Sequence, residues 1–336
     1  MKKFRKFLIA IIIVLSISVF VLAACDNVPE STVSDEPVAE LSSWMSMIED
    51  DTLLTELVIP GSHDSGTKGM NLFAETQDKT YLEQLERGFR YFDTRVMYTG
   101  GEFYMYHSVK GEMKYSQVLE DVKAFLDENP TETVILDFQW TEGGNDKGIF
   151  DMLEEKLGDK LINVEGESAL EFVKVLTLGE ARGKCLIFVG QDESNLDRPY
   201  QIARDKDSEE REGSALRSYY NASYNRSSSQ KYIEKYIPEY IEMFKNSKGG
   251  MFVLQGQLTY MLTSIRDGEA KHDPNMNAYV KGLYDSDDLQ YINIIMRDFV
   301  NCEKASYILN LNVAKKLVKA ADVEDYKAML KNYIEL

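Results

Sequence analysis

The sequence is short of positive charge, of cysteine and of histidine, and each shortage narrows what the chain can be. Against 56 Asp and Glu stand 38 Lys and Arg, a formal net charge of −18 over 336 residues. A body this acidic is repelled by nucleic acid and by anionic bilayer surfaces, which argues against nucleic-acid binding and against membrane attraction through basic patches. Three cysteines, Cys25, Cys185 and Cys302, cannot build a disulfide framework. Cys185 falls in an apolar strand pattern, so two buried free thiols are expected in preference to a Cys185–Cys302 pair. The three histidines are His63, His107 and His272, and the first two sit at the ends of short strand-like runs. Such scarcity makes each one informative.

The N-terminus has its own character. Lys2, Lys3, Arg5 and Lys6 precede an almost wholly apolar run from Phe7 to Leu22. The run approaches the ~18 residues of a membrane helix. Small residues directly before a lone cysteine, in Leu22-Ala23-Ala24-Cys25, instead resemble the lipobox of bacterial lipoproteins and favour cleavage. The expectation is a signal peptide over 1–24 and lipidation at Cys25, which places the protein outside the cytoplasm, anchored to the bacterial cell membrane. Removal of that leader moves the net charge from −18 to −22. The polar, acidic, proline-bearing stretch that follows cannot bury enough apolar surface to fold, and reads as a flexible tether over 25–40. One domain follows, over 41–336, without an internal repeat or a second linker, and a monomer is expected.

Within that domain strand-like and helix-like runs alternate. The strand patterns are Glu56–Ile59, Tyr91–Met97, Glu102–Tyr106, Thr133–Trp140, Lys184–Val189, Met251–Gln255 and Tyr291–Met296. Several are continuous apolar runs, such as Val134-Ile135-Leu136, as befits strands covered on both faces. Helical patterns lie between them: Ser116–Asn129 with Ser116 as its cap and Pro130 as its stop, Gln230–Lys245, and a C-terminal stretch from about Lys304. Residues 141–175 and 191–229 look irregular. Seven or eight strands alternating with helices predict an α/β fold, a single distorted TIM-type (β/α) barrel.

A barrel gathers reactive groups at the C-terminal ends of its strands. His63 and Asp64 follow the first, in Ile59-Pro60-Gly61-Ser62-His63-Asp64-Ser65-Gly66-Thr67. Asp93 and Arg95 share one face of the second, because strand side chains repeat every two residues. His107 follows the third and Asp298 the last. Alone, a strand-borne Asp–Arg pair is an ordinary buried ion pair. Together, two histidines, three carboxylates and a guanidinium suit phosphoryl transfer without a metal: one imidazole accepts a proton, the other donates one, carboxylates orient them, and arginine meets the charge on phosphate.

At these residues the chain resembles the bacterial phosphatidylinositol-specific phospholipase C family, whose catalytic module is an X-type distorted barrel. The stretch from Ile59 to Thr67 is close to the family's Ile-Pro-Gly-Thr-His-Asp-Ser-Gly-Thr, and Gly88-Phe89-Arg90-Tyr91-Phe92-Asp93-Thr94-Arg95 is similar to a second family segment. The resemblance implies that His63 is the general base for the inositol 2-hydroxyl, oriented by Asp298. It implies that His107 is the general acid for the leaving diacylglycerol oxygen, partnered by Asp64. Arg95 becomes the group that stabilises the phosphate, with Asp93 in support. The products would be a cyclic inositol 1,2-phosphate and diacylglycerol, from phosphatidylinositol or glycosyl-phosphatidylinositol lipids.

Calcium-dependent relatives carry an acidic ligand where Arg95 stands, so the resemblance implies no metal and no cofactor. Gln139 falls where the calcium-dependent enzymes place a glutamate and where the Bacillus-type enzymes place a lysine; the arginine position falls near Gly190. Gln139 and Tyr232 are the expected substrate contacts, although Tyr232, Tyr236 and Tyr240 recur every four residues and equally suit one packed helical face. Trp44 and Trp140 read as core and His272 as a solvated loop. The expected partner is a phospholipid in a membrane. A phosphodiesterase for another head group and a non-catalytic surface binding module remain as alternatives.

Overall fold

The computed structural model describes residues 34–190, 196–205 and 213–336. Residues 1–33, with the expected leader and Cys25, lie outside the described residues. Asp35–Leu336 form one compact body. No helix among the described residues is long and apolar enough to cross a membrane.

The strands are β1 (Ile59–Ser62), β2 (Tyr91–Thr99), β3 (Glu102–His107), β4 (Val109–Lys114), β5 (Val134–Glu142), β6 (Cys185–Val189), β7 (Gln201–Ala203), β8 (Leu216–Ser218), β9 (Met251–Gln255) and β10 (Ile294–Arg297). Eight of them run parallel in the order β7-β6-β5-β2-β1-β10-β9-β8, and β3 and β4 form an antiparallel flap off β2. Asp205 N donates to Leu216 O at 3.0 Å and Ala215 N to Ala203 O at 2.9 Å, so β7 meets β8 and the sheet nearly closes into a barrel. The helices that matter for the site are α1 (Tyr81–Glu86), α2 (Tyr115–Glu128), α3 (Ile237–Lys245), α4 (Ile265–Gly282) and α5 (Cys302–Ala314).

Alternation along the strands sorts the core. Ile59, Tyr91, Ile135, Leu186, Phe188, Val253 and Ile294 pack in one cluster. Their neighbours Phe92, Leu136, Phe138 and Ile187 pack with Val118, Val122 and Phe125 of α2 in another. On the other side Val58, Phe252, Leu254 and Ile295 meet Tyr232, Tyr240 and Ile241. A strand buried on both faces therefore carries no polar alternation, which is why these runs read as continuously apolar.

Several boundaries differ from the sequence expectation. The first strand is Ile59–Ser62, shifted onto the Pro60-Gly61 pair, because Gly61 lets Tyr91 and Ile294 approach to 3.0 Å from where a β-carbon would stand. The tether does not run to residue 40. Asp35 accepts from Cys302 N at 2.9 Å and pairs with Lys79 and Arg87, and Val38 N donates to the Tyr333 hydroxyl at 2.7 Å. Residues Ala39–Met47 then form a 3-10 helix that buries Leu41, Trp44 and Met45. Helix α2 starts at Tyr115 after Lys114, so Ser116 is not its cap. The stretches read as irregular hold a helix at Asp146–Leu157 and the three-residue strands β7 and β8, too short for a periodic signal.

Candidate functional site

The register of the barrel brings the candidate residues together. Ser62 is level with Arg297 on β10 and with Phe92 on β2. The next residues along, His63, Asp298 and Asp93, therefore emerge side by side at one end. On the β2–β5 pair the register slips between Thr94 and Arg95, leaving Gln139 as the extra residue. Such a bulge re-aims side chains at a sheet's rim, and Arg95 Nη2 lies 3.4 Å from Gln139 Oε1. His107 arrives on the β3–β4 flap.

One carboxylate organises the group. Asp64 Oδ2 lies 3.3 Å from His63 Nε2 and 3.2 Å from His107 Nε2, while its Oδ1 lies 2.6 Å from Arg95 Nε. Arg95 also bonds Asp93, Nη2 to Oδ2, at 3.0 Å. On the far side of each imidazole sits an acceptor: His63 Nδ1 is 2.7 Å from Asp298 Oδ1, and His107 Nδ1 is 2.8 Å from the Ala74 carbonyl. A carbonyl only accepts, so Nδ1 of His107 carries a proton and Nε2 is left to exchange one. The partner of His107 on that far side is backbone, and not the carboxylate expected from the sequence; Asp64 stands between the two rings instead.

Among the described residues, three of the four non-glycine residues with positive φ lie in this group: Asp64 (42°), Ser108 beside His107 (58°) and Phe299 beside Asp298 (41°). Left-handed backbone is strained for side-chain-bearing residues, and such strain gathers where geometry is imposed by function. Each turns the chain sharply at or beside a side chain that lines the cavity.

The electrostatics follow. Burial works against a charge on His63, but Asp64, Asp298 and Asp93 outweigh it and push its pKa up to about 9. Burial raises Asp64, yet Arg95, His63 and His107 together hold it below its ordinary value. Burial keeps Asp298 above its own, against the pull of His63. Asp137, buried in β5, is pushed up to about 6 by burial, although Arg204 and the Tyr91 hydroxyl stabilise its charge.

All of this opens into a cavity of about 560 Å³ lined by His63, Asp64, Arg95, His107, Gln139 and Asp298, among others. Asp93 lies beneath it, bonded to Arg95. Tyr232 does not reach it: the residue is fully buried, and its hydroxyl donates to Gln255 O at 2.6 Å. The packed-face reading of Tyr232, Tyr236 and Tyr240 is the right one. The aromatic residues that do face the cavity include Tyr220 and Tyr260. Arg204 faces it too, 6% exposed, with Nε 3.1 Å from Asp137 Oδ1 and its side chain crossing close above Gly190. Sequence reading missed Arg204 because it follows a three-residue strand in a stretch without periodicity. Trp140 is 51% exposed at the mouth and is not core. His272 is buried in α4 and is not in a loop. Both Cys185 and Cys302 are free and buried.

His63, Asp64 and Asp93 present three ligand atoms within 4.8 Å of one another, a set that could hold a metal ion. Both carboxylates, however, already carry the Arg95 guanidinium. A fixed cation there repels another.

Comparison with known proteins bears on the whole arrangement. Residues 51–190 match the family model of the phosphatidylinositol-specific phospholipase C X domain. A 1-phosphatidylinositol phosphodiesterase of Staphylococcus aureus is 30% identical over 171 residues, covering 46% of this chain and 53% of that protein. One from Listeria monocytogenes is 31% identical over 173 residues, covering 47% and 51%. The human PI-PLC X domain-containing protein 2 is 28% identical over 201 residues, covering 49% and 64%. The chain thus spans about half the length of the bacterial relatives it matches. In structure, the phosphatidylinositol-specific phospholipase C from Listeria monocytogenes superposes with a TM-score of 0.64 at 22% identity, over 81% of this chain and 98% of that one, which establishes the barrel fold. Motif and family model agree over residues 51–190, the part of the chain that is similar to the phosphatidylinositol-specific phospholipase C X domain.

Proposed function

We propose that this protein is a metal-independent phospholipase C that cleaves phosphatidylinositol or its glycosylated relatives to a cyclic inositol 1,2-phosphate and diacylglycerol. The observation that carries the reading is the meeting of His63 Nε2, His107 Nε2 and the Arg95 guanidinium around the one carboxylate of Asp64. In this mechanism neutral His63 takes the proton of the inositol 2-hydroxyl at Nε2, with Asp298 holding Nδ1. The oxygen attacks phosphorus, and the bond to the glycerol oxygen breaks. His107 gives its Nε2 proton to that leaving oxygen. Arg95 donates to the phosphate oxygens as charge gathers on them. In this reading Gln139 and Arg204, both on the cavity wall, meet the head group.

Substrate in a bilayer suits the mouth of the cavity. Phe73 (63% exposed) and Trp140 line it, and Leu72 (55%), Met261 (67%) and Leu262 (97%) are exposed next along the chain from the lining residues Phe73 and Tyr260. Ile265 N donates to Leu72 O at 3.1 Å, tying the two loops that bear them. Exposed apolar side chains grouped at the mouth of a cavity suit an interaction surface. Anchoring through lipidated Cys25, after removal of residues 1–24, would hold a monomeric enzyme at the outer face of the bacterial membrane.

A second reading, a phosphodiesterase for another hydroxylated head group, is favoured by the amides Gln139, Gln255 and Gln257 on the cavity wall. Phosphorus NMR of phosphatidylinositol vesicles incubated with the protein in excess chelator tests both. A cyclic inositol phosphate signal supports the first; inertness there with cleavage of another phosphodiester supports the second. Activity that calcium alone restores would remove metal independence.

A further inference from the structure

Tyr260, on the cavity wall, is held from below by two residues that the chemistry above does not use. It lies in the loop between β9 and α4, and its ring rests on Gly268 in the first turns of α4, where a β-carbon would overlap it. Glycine inside a helix costs roughly 1 kcal/mol relative to alanine; here the ring needs the room. The Tyr260 hydroxyl donates to Glu269 Oε2 at 3.1 Å. Glu269 is fully buried, and its Oε1 has no hydrogen-bond partner among the described residues.

Groups of both signs surround that carboxyl. Asp273 and His272 come from α4, Arg297 and Asp298 from the end of β10, and Lys304 from α5. Asp273 pairs with Arg297 and with Lys304, each at 2.7 Å, and Lys304 also donates to the Asp298 carbonyl at 2.7 Å. His272, its Nδ1 2.7 Å from Ser229 Oγ, is pulled down to about 4 by burial and by Arg297, and stays neutral. Burial, Asp273 and Asp298 push Glu269 well above the ordinary carboxylate range against Lys304 and Arg297. Charge on Glu269 is therefore disfavoured where it sits. Its carboxyl oxygen anchors the phenol from beneath.

We propose that Tyr260 is a specificity-determining residue for a hydroxylated head group, and that Gly268 and Glu269 are the positioning residues that fix its ring and its hydroxyl. A phenol that donates its proton below keeps its oxygen lone pairs for a donor in the cavity. The chemical class it selects is a polyol hydroxyl presented beside the scissile phosphate. This rests on the phospholipase reading, and the test separates the two.

The variants are Tyr260→Phe, Glu269→Gln, Glu269→Leu and the double Tyr260→Phe/Glu269→Leu, each checked by melting temperature. Turnover of phosphatidylinositol vesicles by the unaltered protein tests the reading itself. Thermal stabilisation by free myo-inositol reads the inference with or without turnover. Tyr260→Phe and Glu269→Leu should each raise KM about fivefold, the worth of one hydrogen bond, with kcat within about twofold. Both should lose the inositol shift. Glu269→Gln should behave as the unaltered protein, and the double variant should be no worse than Tyr260→Phe, since the two act as one unit. An unchanged KM and an unchanged inositol shift in Tyr260→Phe, or a loss in Glu269→Gln as large as in Glu269→Leu, would overturn the inference. So would a folded Glu269→Leu that keeps both.

Discussion

Asp298 Oδ1 lies 2.7 Å from Nδ1 of His63, and against the effect of burial it joins Asp64 in pushing the pKa of that imidazole up to about 9. The first consequence is a pH profile. A base whose pKa stands at about 9 is mostly protonated at neutrality, so kcat/KM should rise with pH through about 9 on its ascending limb. Asp298→Asn removes one of the raising charges and presents an amide to Nδ1. The limb should move to lower pH while kcat falls at least ~10²-fold. An ascending limb that stays put in Asp298→Asn would break the assignment.

The same shift couples to stability. A histidine raised in the folded state stabilises fully below its ordinary value near 6.5 and loses that contribution as pH rises through about 9. Denaturant unfolding should show the native state losing about 3 kcal/mol across that window, and His63→Ala should flatten the loss.

Ser108 sits between His107 and Val109 at φ 58°, at the tip of the β3–β4 flap. Ser108→Gly should leave kcat near its starting value. Ser108→Val forces a branched residue into left-handed backbone, at a cost of roughly 1–2 kcal/mol, and should lower kcat more than it raises KM because it swings His107. Equal kinetics in the two variants would show that the turn does not aim the ring.

At the other end of the barrel Arg90 and Glu132 form a fully buried pair at 2.9 Å, with Glu132 also accepting from Met45 N. Arg90→Met strands a buried carboxylate and should destabilise by about 3–5 kcal/mol. The double Arg90→Met/Glu132→Leu should recover part of that in urea unfolding.

The residues at strand ends were legible in the sequence for a physical reason. His63, Arg95, His107 and Asp298 lie in or directly after runs whose β character needs no context, and register then converges them. Where packing hides in polar residues the reading failed. Helix α4 buries Ile265, Gly268, Glu269, His272, Met276 and Val280 along one stripe, but three of these six are not apolar, and Pro274 reads as a breaker. Its period is invisible without the Tyr260 ring and the Arg297–Lys304 charges that make those positions tolerable. Tyr232 misled in the opposite sense: a polar-tipped ring in a four-residue repeat fits a cavity or a core, and only the Gln255 carbonyl waiting for its hydroxyl decides. Arg204 carries no local signature at all, since a three-residue strand and a buried partner on β5 define it.

The account turns on two imidazoles serving one phosphorus atom, and single-turnover phosphorus NMR on phosphatidylinositol with the native chain, His63→Ala and His107→Ala reads this most directly. It predicts a cyclic inositol phosphate product from the native chain and a fall of at least ~10²-fold in each variant. In His107→Ala the loss should shrink when the glycerol oxygen is replaced by a leaving group that needs no proton. Cyclic product formed at native rates by either variant, or an equal loss in His107→Ala with both leaving groups, would contradict it.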